Sequence, residues 1–273
     1  LLLTGKLPNA DSALKQKIVL QAGQDQLRFE TDVDWKALHR LLKVSFPVDV
    51  RTFEGVNEIQ YGYVKRPTTR SRMYDKERFE VCNHRYTALF DGAHGAAVLN
   101  ESKYGISMEE NRMELSLLRA AAAPQMRADN ERQQFTYAFT AWEGSFEDSR
   151  VVQEAIALNE PLQVVPGAID VPGAVAIDAS NIILDAMKLA EDGTGDIILR
   201  LYEAKHCDTN AKIRIRIPGT IVLCSILETQ KEDETVSVRA ENGMQEVFLH
   251  FAPFQVRTLR VGTAGRKQNP DQP

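Results

Sequence analysis

Only three cysteines stand in 273 residues, Cys82, Cys207 and Cys224, and no two of them form a CxxC pair. So sparse and odd a set cannot build the disulfide framework of a small secreted scaffold, and a reducing, cytoplasmic setting is expected. Cys82 and Cys224 fall within apolar runs, where a buried and inert thiol is expected. Positive charge is short as well: 33 Lys and Arg against 38 Asp and Glu leave a net charge of -5. Nucleic-acid binding, which draws on a basic face, is therefore not expected. No apolar run approaches the roughly 20 residues of a membrane-spanning helix, so no membrane partner is expected either. Leu1-Leu2-Leu3 is too short for a signal peptide and lacks a small-residue cleavage site, and a start at leucine suggests that something upstream was removed.

Catalytic signatures are missing too. His39, His84, His94, His206 and His250 never fall at the i, i+4 spacing that two metal ligands on one helix need. His206 and Cys207 are adjacent, but neighbours on a strand point to opposite faces. There is no Gly-x-Ser-x-Gly elbow and no phosphate-cradling loop. Carboxylate clusters such as Glu109-Glu110 and Glu232-Asp233-Glu234 read as solvated polar turns. Spacing alone assigns no catalytic residue, no metal ligand and no cofactor to this chain.

What is present is alternation. In Leu27–Trp35 and again in Leu42–Val50, every second residue is apolar and those between are mostly polar or charged. That period puts one face of a strand in a core and the other in water or against a partner. Joined by the short polar link Lys36 to Arg40, the two open an antiparallel, β-rich fold. Ile59, Tyr61 and Tyr63 share a face, as do Met113, Leu115 and Leu117, and Phe135, Tyr137 and Phe139. Further strands are expected around 16–21, 79–86 and 95–99, with turn signals at Asp91-Gly92 and Ala123-Pro124. Pro67 to Arg78 is polar, rich in basic residues and aperiodic, and reads as an excursion out of the sheet.

One helix is expected near a junction, capped by Ser145 or Asp148 and stopped by Pro161, with Phe146, Val151, Val152, Ala155, Ile156 and Leu158 at roughly helical spacing. Val165-Pro166-Gly167 and Val171-Pro172-Gly173 mark the junction itself. Seven short strands follow, 182–189, 197–203, 212–217, 220–227, 235–239, 247–251 and 254–261. Hairpin turns are expected at Gly193-Thr194-Gly195-Asp196 and at Pro218-Gly219, and a third turn at Asn242-Gly243. The polar tail from Gly262 is expected to be disordered. The result is an all-β chain with a large sandwich over residues 1–160 and a small one over 175–262.

Two polar clusters stand out. In Phe79–Tyr86 neither face of the expected strand is cleanly apolar, so its polar groups must find hydrogen-bond partners. Asn100–Gly105 is a similar cluster directly after the apolar run Ala96–Leu99. An interior polar network or a domain interface accounts for both. So does sugar recognition, in which rings cover apolar sugar faces and amides or guanidinium groups take hydroxyls.

These residues also resemble a known family. The blocks 28–35, 41–50, 58–62, 78–86, 97–105, 115–120, 135–137, 190–193, 199–203 and 253–259 resemble, in order, the C-terminal β region of family 38 glycoside hydrolases, the α-mannosidases. The resemblance is to the branch of bacterial and vacuolar-type enzymes. It implies a galactose-mutarotase-like supersandwich followed by a small β-sandwich. It further implies an N-terminal catalytic domain of the same polypeptide, holding zinc and an aspartate nucleophile and hydrolysing α-mannosides with retention. None of those N-terminal motifs is in this chain, so no nucleophile or zinc ligand transfers to it. His84, Arg85 and Asn100 are the residues the resemblance suggests for contact with the cleft and its sugar. The expected function is that of a non-catalytic part of an α-mannosidase that supports the active-site cleft and contributes to carbohydrate binding. A free-standing carbohydrate-binding module, a purely structural scaffold and a homo-oligomer stay open.

Overall fold

The computed structural model describes residues 1–7, 11–164, 166–167, 173–231, 235–241 and 243–262. Among these residues the fold is all-β apart from two short helices, and the chain divides into two units, Leu1–Val164 and Val165–Pro273.

The first unit runs β1 (Leu2–Lys6), β2 (Ala13–Leu20), β3 (Leu27–Asp34), β4 (Leu42–Pro47), β5 (Glu54–Ile59), β6 (Gly62–Pro67), α1 (Met73–Glu77) and β7 (Val81–Cys82). It continues through β8 (Tyr86–Phe90), β9 (His94–Asn100), β10 (Gly105–Glu109), β11 (Arg112–Leu118), β12 (Arg132–Glu143) and α2 (Val151–Asn159). An eight-stranded sheet in the order β1-β2-β3-β12-β9-β8-β5-β6 packs on a four-stranded sheet, β4-β11-β10-β7. The strands that flank Lys36–Arg40 do not pair. β3 bonds to β2 and β12, while β4 bonds to β11, so the polar link carries the chain from one layer to the other. Their apolar faces meet across the core, with the Phe29 and Phe46 rings 5.7 Å apart and edge-on. Phe29 stacks on Tyr137 at 4.9 Å and Phe46 on Phe139 at 5.2 Å. Val33, Val98, Ile106, Met113 and Leu115 complete this interior without measurable exposure.

Three other expectations change in this unit. Ile59, Tyr61 and Tyr63 do not lie on one strand, because Gln60-Tyr61 is a two-residue hairpin loop with Tyr61 at φ 58°. The excursion at Pro67–Arg78 contains α1, whose five residues are too few to show a period. The second helix begins at Val151 after Arg150, and its first turn has no side-chain cap. Ser145 and Asp148 instead bond each other at 2.9 Å in the preceding turn. Phe146, ahead of the helix, is 1% exposed and touches the rings of Tyr63, Tyr86, Phe90 and Trp142. Burying such a ring contributes about 2–3 kcal/mol.

The second unit holds β13 (Val175–Ile177), β14 (Ile182–Leu189), β15 (Ile197–Glu203), β16 (Thr209–Ile215), β17 (Thr220–Cys224), β18 (Ser237–Glu241), β19 (Met244–Phe251) and β20 (Val256–Gly262). Two four-stranded sheets, β13-β16-β19-β18 and β14-β15-β20-β17, enclose Leu199, Leu201, Ile213, Val247, Phe251 and Leu259. Gly193–Asp196 joins the paired strands β14 and β15, as a hairpin turn should. Pro218-Gly219 is not a hairpin turn, for it passes the chain from β16 in one sheet to β17 in the other. Val165, Val171, Pro172, Glu232-Asp233-Glu234, Asn242 and the tail beyond Gly262 lie outside the described residues.

Candidate functional site

The stretch 79–86 is not one strand. β7 ends at Cys82 in the four-stranded sheet, where it pairs with β10, and β8 starts at Tyr86 in the eight-stranded sheet. Asn83, His84 and Arg85 cross between the layers, which deprives their backbone of continuous ladder partners. Polar side chains are the physical remedy, since an unpaired buried peptide group costs about 1–3 kcal/mol.

Glu58, on β5, is the anchor. It is 3% exposed, and its carboxylate accepts the Arg85 backbone N–H at 2.7 Å, Arg85 Nε–H at 2.9 and 3.1 Å, and Arg85 Nη2–H at 2.6 Å. Its carbonyl takes the His84 N–H at 3.0 Å. Asn100, the last residue of β9, closes the other side. Its Nδ2 donates to Asn83 Oδ1 at 3.0 Å and to the His84 carbonyl at 2.7 Å, and its Oδ1 accepts the Lys103 N–H at 2.8 Å. Asn83 in turn donates its backbone and side-chain N–H groups to the Tyr104 carbonyl, at 2.9 and 3.1 Å. At α2, Asn159 Nδ2 reaches the Asn100 carbonyl at 3.0 Å.

The three residues singled out from the sequence thus come together, but they occupy different depths. Asn100 is 1% exposed and its amide is fully used within the crossover. Arg85 keeps 27% of its side chain exposed while it closes on Glu58. His84 is half-buried and faces Tyr104, ring edge to ring at 6.2 Å. Tyr104 is 54% exposed and, together with His84, is what the crossover presents to solvent. Sequence reasoning did not single out Tyr104; its signal was an aromatic closing a polar cluster. Beside the crossover, Lys103 lies 4.5 Å over the Phe135 ring, and burial pulls its ammonium below the usual lysine value. Cys82 corrects an expectation as well: β7 is only two residues long, and the thiol is exposed.

Next to the crossover, the four-stranded sheet turns a polar face away from the core. Lys43 Nζ donates to Ser107 Oγ at 2.7 Å and stands 3.4 Å from Glu80 and 3.7 Å from Glu114. Ser116 bonds Glu80. A groove of about 990 Å³ runs past Glu80 and Ser116, with apolar side chains such as Leu41, Phe79 and Leu117 beside the charged Arg40, Arg119 and Asp129. Leu41 and Phe79 are 48% and 54% exposed. Rings, hydroxyls and carboxylates in this arrangement can take a sugar or a partner surface. Among the described residues, no three His, Cys, Asp or Glu side chains are grouped to hold a metal ion. No helix among them is long and apolar enough to cross a membrane.

Comparison with known proteins places this architecture. Residues 3–127 match the model of the glycosyl hydrolases family 38 C-terminal domain. Residues 181–259 match that of the glycosyl hydrolases family 38 C-terminal beta sandwich domain. Human alpha-mannosidase 2C1 is 37% identical over 256 residues, 91% of this chain and 24% of its own. Alpha-mannosidase G of Dictyostelium discoideum is 31% identical over 93% of this chain and 24% of its own. The crystal structure of an alpha-mannosidase from Enterococcus faecalis V583 superposes with a TM-score of 0.76 at 18% identity, covering 92% of this chain and 29% of that one, and shares the fold. The chain spans about a quarter of the length of the curated relatives it matches. The chain belongs to the C-terminal region of glycosyl hydrolase family 38, two of whose models it matches in succession.

Proposed function

We propose that this chain is the non-catalytic C-terminal part of a longer α-mannosidase, supporting an active-site cleft built by the rest of the polypeptide. The observation that carries the reading is the order of two family matches, 3–127 and 181–259, within relatives of which the chain covers about a quarter. Leu41 and Phe79 support it, because two large apolar side chains left about half exposed in one groove are suited to cover by the rest of the polypeptide. Zinc and the retaining carboxylates belong to the rest of the polypeptide in this reading. The location is cytoplasmic, in keeping with three free cysteines.

Within this reading the crossover contributes to carbohydrate binding by division of labour. His84 and Tyr104 meet the mannoside, Arg85 shapes the rim, and Asn100 acts from inside by fixing the His84 carbonyl. Kinetics of the full-length enzyme with His84→Ala and Tyr104→Ala test this. A raised KM with kcat little changed supports sugar contact, and unchanged constants on both variants reduce the crossover to scaffold.

A further inference from the structure

Under the 67–78 excursion lies a cavity of about 180 Å³, lined by Lys65, Arg66, Arg70, Arg72, Tyr74 and Arg78 among others. Asp75 is the one carboxylate in its lining, in a chain whose net charge is -5. That carboxylate is already committed to Arg72, taking its backbone N–H at 2.9 Å and Nε–H at 3.3 Å. Arg70 pairs with Glu109 at 3.0 Å, and Lys65 lies 3.8 Å from Glu54. Arg66 and Arg78 have no carboxylate partner among the described residues.

Arg66 is the more telling of the two. Its Nη1 donates to two neutral acceptors, Asn57 Oδ1 at 2.6 Å and the Cys82 carbonyl at 2.9 Å. These bonds fix the plane of the guanidinium, while Nε–H and Nη2 find no acceptor among the described residues. Burial pulls the Arg66 guanidinium below its ordinary value, against a smaller opposing pull from Cys82, as expected for a partly desolvated cation with no carboxylate beside it. Arg78 is placed by Tyr74: its Cζ lies 5.1 Å from the ring centroid, and that of Arg72 lies 4.7 Å away. One ring thus gathers Arg72, whose charge Asp75 offsets, and Arg78, whose charge no carboxylate among the described residues meets.

We propose that this cavity binds a phosphate group, with the Arg66 and Arg78 guanidinium forks as its ligands and Tyr74 as the platform that orders Arg78. Planar forks match phosphate oxygens in pairs, and more than one fork suits a tetrahedral oxyanion better than a flat carboxylate. The assignment does not rest on the mannosidase reading, and either can fail alone.

Calorimetric titration of the full chain at fixed ionic strength tests it, with inorganic phosphate, a hexose monophosphate and a hexuronate as probes. Saturable one-site binding of phosphate is expected, weakened about tenfold by Arg78→Gln and also weakened by Arg66→Gln. Arg78 is on the surface, so an unchanged melting temperature for Arg78→Gln shows that the loss is not unfolding. A tighter hexose monophosphate assigns a sugar ester, and equal affinities assign the free ion. Tighter hexuronate binding, no saturable phosphate binding, or phosphate binding indifferent to both substitutions overturns the proposal.

Discussion

Arg85 and Glu58, 27 residues apart, form a forked ion pair in which the same carboxylate also holds the backbone N–H of Arg85, at 2.7 Å. One acidic side chain therefore fixes both the charge and the path of the chain where it changes sheets. Its side chain is 4% exposed, so the pair is shielded from solvent on the acidic side.

Glu58→Ala is expected to cost about 3 kcal/mol in urea denaturation, because it orphans a backbone donor as well as a guanidinium. The conservative Glu58→Gln should recover part of that by keeping an acceptor for the Arg85 N–H. A loss under 1 kcal/mol for the alanine variant contradicts the anchoring role.

On the eight-stranded sheet, Arg132 and Gln134 of β12 both donate to Asp32 of β3, Nε of Arg132 at 2.9 Å and Nε2 of Gln134 at 3.0 Å. The Arg132 hydrogen bond, then that of Gln134, holds the Asp32 carboxyl down to about 2. A depressed folded value means that the stabilisation is present above the unfolded value near 3.8 and is lost as pH falls through about 2. Carboxyl-carbon NMR titration should place Asp32 near 2, and Arg132→Ala should return it towards 3.8. An unmoved titration in the variant contradicts this cause.

Gly219 sits at φ 152°, and a Cβ there would meet the Gly262 carbonyl oxygen at 2.0 Å. The sheet-changing corner therefore demands glycine on both conformational and steric grounds. Gly219→Ala is expected to destabilise by about 2 kcal/mol or more, read as a lower melting temperature, and to loosen the β17–β20 pairing in amide exchange.

The three thiols differ in exposure: Cys82 is exposed, Cys207 half-buried and Cys224 buried. Burial also pushes the Cys224 thiol up. Alkylation of the native chain at pH 8 should label Cys82 first and Cys224 last. Equal rates at the two sites would contradict the crossover geometry.

Much of this was legible from residue order. In the second unit β14, β16 and β19 alternate and turn residues separate the strands, so those from β14 to β20 stand close to where the sequence pattern puts them. Alternation tells which face is buried but not which sheet a strand joins. β3 and β4 therefore read as partners, although Phe29 and Phe46 meet across the core instead. The crossover at Asn83–Arg85 was visible only as an uncommitted polar mixture, because its explanation is Glu58, on another strand, and Asn100, on a third. The edge-to-ring contact of Tyr104 with His84 likewise depends on segments 20 residues apart meeting beside the crossover, which no local pattern encodes.

Under the proposed function these domains brace a mannosidase without themselves breaking the glycosidic bond. The most direct test is turnover of an aryl α-mannoside by this chain alone, with zinc added, against a buffer blank. No release of the aryl group above the blank is expected; zinc-dependent turnover by the 273 residues themselves would overturn the proposed function.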